Sequence, residues 1–134
     1  MKRPIGLWLV IAWCLLRGVL GVWGGVNLAR WTLRGYGTWR EAFFVFVVEG
    51  AIWIGLALGL FTRWNFGRFA TIFACAIIIA WASYGFYLAG HSRLNELQYA
   101  LTVAIYGGII VYLLRPSLAR FFRLGEAAAA DALQ

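Results

Sequence analysis

Four apolar runs, each close to the length of a membrane crossing, constrain this chain more than any other feature. They are Ile5–Leu28, Ala42–Phe61, Phe69–Ala89 and Leu97–Leu114, of 24, 20, 21 and 18 residues. About 20 apolar residues in helical conformation span a bilayer core. Inside lipid, each run must satisfy its own backbone hydrogen bonds, which predicts four helices and no strand. A soluble domain of 134 residues has too little interior to hide a composition that is 63% apolar and only 13% charged. A soluble enzyme, a disordered linker and a disulfide scaffold are thereby excluded.

The connections are short, so neighbouring helices must run antiparallel. The expected fold is an all-α polytopic membrane protein, an antiparallel four-helix bundle over residues 1–124. A short interfacial helix follows the last span, and an alanine-rich cytoplasmic tail occupies residues 125–134. The first run is too long for a signal-peptide core, carries Arg17 and lacks a clear cleavage site, so it is expected to be retained.

The net charge of +7 would suggest nucleic acid in a soluble protein, but here the cations mostly flank apolar runs, as headgroup anchors do. With the N-terminus inside, Lys2, Arg3, Arg63, Arg68, Arg115, Arg120 and Arg123 lie on the cytoplasmic side. Arg30, Arg34, Arg40 and Arg93 lie opposite. The imbalance favours cytoplasmic termini.

The segment Ala29–Glu41 carries Trp31, Tyr36 and Trp39 between its arginines. It reads as an interfacial re-entrant stretch or, alternatively, as a docking or anionic-ligand surface made by Arg30, Arg34 and Arg40. After the last span, Pro116 should break the helix beside Arg115. Leu118, Phe121 and Phe122 then share one side, with Arg120 and Arg123 next to them, as a helix lying on the membrane would arrange them.

Two formal charges fall within the spans, Arg17 and Glu49. Such groups normally face protein or water. Arg17 lies about 16 Å below the end of its run and Glu49 about 10 Å below the same surface. An arginine side chain can bridge the difference by snorkelling. The pair is expected to clamp the first hairpin or, alternatively, to leave Glu49 available to a proton or a cationic or polar ligand. Small residues supply the packing argument. Cys14, Gly18, Gly21 and Gly25 form one stripe, Ala51, Gly55 and Gly59 a second, and Ala100, Ala104, Gly107 and Gly108 a third. Strips of this kind let membrane helices approach closely, within one chain or between two. Glu49 lies nearly opposite the Gly55–Gly59 strip, so the second helix needs protein on two sides.

Cys14 and Cys75 read as packing thiols, and the lone His91 reads as a loop-capping residue beside Ser92 and Asn95. The tryptophans and tyrosines within the spans read as bulky packing or interface anchors. No metal cluster, nucleotide-binding loop or catalytic triad is present in the pattern, and no cofactor is expected.

RPIG at Arg3–Gly6, GLFTRWNFGRFATI in the centre and YLLRPSLARFF at Tyr112–Phe122 resemble small bacterial four-span membrane proteins of unknown function. The resemblance implies a four-helix protein of the bacterial inner membrane and carries no site residues with it. Small multidrug exporters place their carboxylate in the first span, unlike this chain. The functional expectation is a non-enzymatic accessory or scaffold subunit that packs against other membrane proteins. The rival is a small oligomeric transporter, proton-coupled or for a polar solute, that uses Glu49.

Overall fold

The computed structural model describes residues 4–32, 39–89 and 92–131. Five helices follow one another: α1 (Ile5–Thr32), α2 (Trp39–Phe61), α3 (Asn65–Ala89), α4 (Arg93–Leu113) and α5 (Pro116–Asp131). No strand occurs among the described residues. The fold is all-α and of the four-helix class, because α1 to α4 are each long and apolar enough to cross a membrane, over Ile5–Asn27, Phe44–Phe61, Asn65–Leu88 and Arg93–Leu113. Large apolar side chains face outward along these helices, among them Leu9, Val19, Trp23, Phe44, Phe73, Trp81 and Val111. Soluble monomers rarely expose continuous apolar surface of this extent. Lipid as the surrounding solvent accounts for it.

The helix ends follow from local chemistry. At the end of α2 the Thr62 hydroxyl donates to the carbonyls of Leu58 and Gly59, at 3.0 and 3.2 Å. Arg63 then adopts a left-handed conformation with φ 59°, the usual way to stop a helix, though glycine more often supplies it. Ser92 caps α4, its hydroxyl oxygen accepting from the Asn95 amide at 3.3 Å. Pro116, which has no amide proton to leave unsatisfied, opens α5. The Arg115 carbonyl accepts from the amides of Leu118 and Ala119.

Two expectations need correction. The stretch from Gly125 is not a separate tail, since α5 continues through it to Asp131; alanine is the strongest helix former, and four stand in succession at 127–130. The apolar face of Leu118, Phe121 and Phe122, expected to meet the membrane, is instead buried, in a helix that packs on α3. The segment between the first two spans is also shorter than expected: helix covers its flanks through Thr32 and from Trp39, leaving residues 33–38 outside the described set.

The chain divides into two compact units, residues 1–62 and 63–134. In the first, α1 and α2 form an antiparallel hairpin. In the second, α3 and α4 form another, and α5 packs on α3.

Candidate functional site

The α1–α2 seam is built from glycine. A methyl group at Gly18 would lie 2.9 Å from the Gly50 carbonyl oxygen, and one at Gly21 would lie 3.1 Å from the Gly50 Cα. In the other direction, a methyl at Gly50 would meet the Gly18 carbonyl oxygen at 2.6 Å and the Val22 amide nitrogen at 2.7 Å. The two backbones therefore approach closely at Gly18, Gly21 and Gly50, with the Ile54 and Val22 side chains packed beside them, 2.6 Å from a methyl at Gly18 and 2.8 Å from one at Gly50. Further along, Gly25 faces Val47 and Phe46. Partners fall from Ile54 to Phe46 as α1 rises from Gly18 to Gly25, which defines the antiparallel register.

That register sets Arg17 beside Glu49. Arg17 Nη2 donates to Glu49 Oε1 at 2.9 Å, forming an ion pair. The pair borders a cleft of about 260 Å³ lined also by Trp13, Leu20, Gly24 and Phe46. Both side chains remain partly open, 42% exposed for Arg17 and 37% for Glu49. Arg17 stands ten residues before the end of its apolar segment at Asn27, about 15 Å deep at 1.5 Å per residue. An ion pair at that depth, visible from outside the hairpin, is costly against hydrocarbon. Chemically it offers one carboxylate held by one guanidinium. No group of three or more metal-ligating side chains occurs among the described residues.

The other sequence candidates divide. Gly18 and Gly25 are buried, and with Gly21 they form the α1 side of the seam. Gly59 is buried, whereas Ala51 and Gly55 are exposed, and nothing lies within 4 Å of a methyl placed at Gly55. The strip expected on α2 is therefore displaced by Gly50, which the four-residue spacing passed over. Levelling Arg17 with Glu49 in an antiparallel hairpin sets Gly18 opposite Val48 rather than Gly50, so the ion pair by itself did not mark this seam.

Gly107 and Gly108 likewise have open space around them, so α4 makes no glycine seam there. The α3–α4 contact uses larger groups instead. The Ser83 hydroxyl lies 3.1 Å from that of Tyr99 and donates to the Ile79 carbonyl at 2.8 Å. Phe86 stacks on Tyr99 with ring centres 4.8 Å apart. Side chains this large hold the backbones apart.

The Arg115 guanidinium stands 5.6 Å from the Tyr112 ring centre and is exposed. Arg30 and Arg40 fall within α1 and α2, but their side chains, like the whole of Arg34, lie outside the described residues, as does His91. Cys14 and Cys75 are both buried and neither forms a disulfide.

The chain matches no known protein family, no curated protein and no solved structure.

Proposed function

We propose that this protein is a non-enzymatic accessory or scaffold subunit of a bacterial inner membrane, with both termini in the cytoplasm, that packs against another membrane protein. One observation carries the reading: an Arg17–Glu49 pair within the apolar segments that is still about two-fifths exposed. Ionisable groups at such depth face protein or water rather than lipid. A partner helix laid over the cleft would cover the exposed part of the pair and exclude lipid from it. The apolar, poorly covered surface around it supplies the rest of such an interface.

Extraction in mild detergent followed by native electrophoresis tests the proposal. The wild-type chain is expected to migrate with a larger complex, and the double substitution Arg17→Met, Glu49→Leu to release it. Migration as a single free chain under every mild condition would overturn the reading.

The cleft beside Glu49 favours one rival, an oligomeric transporter, proton-coupled or for a polar solute, that loads this carboxylate. In proteoliposomes that rival requires a flux that Glu49→Gln abolishes; an absence of any carboxyl-dependent flux removes it.

A further inference from the structure

Arg68 presents the opposite situation to Arg17. It occupies the first turn of α3, is only 6% exposed, and has no carboxylate partner among the described residues. Its one hydrogen bond there is long, from Nη1 to the Asn65 side-chain oxygen at 3.4 Å. Its Nε is buried with no hydrogen-bond partner. The guanidinium lies 4.8 Å from the Phe69 ring centre, and a charge that acts on it is a second cation, Arg123, which repels it. Arginine cannot escape by losing its proton. A buried guanidinium without a counter-charge is strongly unfavourable.

The surroundings deepen the imbalance. Six arginines occur from residue 63 onward, and five of them (Arg63, Arg68, Arg115, Arg120 and Arg123) lie just before α3, in its first turn, between α4 and α5, or in α5. Against them stand Glu96 in the first turn of α4, about 25 Å along the helix from its far end, and Glu126 and Asp131 in the second half of α5. Arg63 is held in place rather than swinging free. Its guanidinium lies 4.6 Å from the Phe121 ring centre, and its aliphatic stem fits so closely under α5 that a methyl at Gly125 would come within 2.9 Å of it. Gly125 is thus the residue that lets α5 lie over this corner.

We infer that Arg68 and Arg123 together bind a phosphate-type anion at the junction of α3 and α5. A phosphate offers several oxygens to the planar guanidinium fork and supplies the counter-charge that Arg68 lacks among the described residues. Two sources fit this chemistry, the headgroup of an anionic phospholipid and free phosphate. The site goes beyond the proposed partner interface and does not depend on it.

The test uses the full chain in neutral detergent, with short-chain phosphatidylglycerol, short-chain phosphatidylcholine and inorganic phosphate as probes. Melting temperature and native mass spectrometry provide the readouts. Phosphatidylglycerol is expected to raise the melting temperature and remain bound, while phosphatidylcholine does neither. Arg68→Gln should weaken that binding about tenfold or more, Arg123→Gln by less, and Arg93→Gln, which removes the same charge at the other end of the hairpin, not at all. If Arg68→Gln does not fold, Arg68→Lys keeps the charge without the fork and should give an intermediate loss. A response to inorganic phosphate alone assigns the site to free phosphate, and a response to phosphatidylglycerol alone assigns it to lipid; either supports the inference. It is overturned if no probe binds, if Arg93→Gln weakens binding as much as Arg68→Gln, or if Glu126→Gln alone creates a binding response absent from the wild type, which would make Glu126 the internal counter-charge.

Discussion

The two helical hairpins solve the same packing problem by different means. In α1–α2 the helices meet backbone to backbone across Gly18, Gly21 and Gly50, with an ion pair beside the seam. In α3–α4 the contact runs through a hydroxyl pair and a ring stack, Ser83–Tyr99 and Phe86–Tyr99, while Gly85, Gly107 and Gly108 face open space. Between helices, apolar attraction cannot distinguish a neighbour from lipid, so specificity comes from close fit or from polar contact. The first hairpin uses both and the second chiefly the polar contact. A glycine on a membrane helix therefore marks close approach only when the facing helix also offers a small surface at the same level.

Substitution at the seam should separate the hairpins most clearly. Gly50→Ala places a methyl against backbone atoms that have no rotamer by which to retreat, and overpacking of this kind costs about 1–3 kcal/mol. A fall in melting temperature in detergent, at the upper part of that range, is expected. An unchanged melting temperature would mean that the seam is looser than the distances indicate.

Next in size is the ion pair. Removing one partner of a fully buried pair costs about 3–5 kcal/mol, and an exposed pair is worth up to about 1 kcal/mol. With both side chains about two-fifths exposed, Glu49→Gln should cost about 1–2 kcal/mol, between those limits. The double change Arg17→Met, Glu49→Leu leaves no stranded charge and should cost less than either single change. A double-mutant cycle on chemical or thermal unfolding measures the difference, and strict additivity would sever the link between the two residues.

In the second hairpin, Tyr99→Phe removes the hydroxyl contact with Ser83 but keeps the ring on Phe86. Loss of one hydrogen bond predicts about 0.5–1.5 kcal/mol, read as a modest drop in melting temperature. A larger loss than at Gly50 would reverse the ranking of the two hairpins.

The smallest effects belong to the glycines that face open space. Gly55→Ala and Gly108→Ala put a methyl where no atom lies within 4 Å, and alanine in a helix is favoured over glycine by about 0.5–1 kcal/mol. Both variants should match or slightly exceed the wild type in thermal stability. Marked destabilisation of either would show that a partner chain occupies that surface.

Much of the architecture could be read residue by residue. The length and apolarity of the runs mark the helices, Pro116 marks the break before α5, and Ser92 followed by Asn95 marks the start of α4. Arg17 and Glu49 were conspicuous because each is a charge in an apolar run, and depth along the two helices brings Glu49 within reach of a snorkelling arginine. Gly50 was not conspicuous, because one glycine beside a glutamate carries no periodic signal. Phe121 and Phe122 were legible as an apolar face, but a sequence does not say whether lipid or α3 covers that face.

What the amino-acid sequence by itself determined was the solvent around the chain, the number and rough extent of its helices, and the hairpin that holds both intramembrane charges. These depend on composition, run length and connection length, which are properties of short stretches. Tertiary structure alone decided which glycine meets which, that α5 folds onto α3 with its phenylalanines inward, and that Arg68 is buried with no carboxylate partner among the described residues. Those outcomes depend on register between distant segments, where a single step along a helix rotates a side chain by about 100° onto a different neighbour.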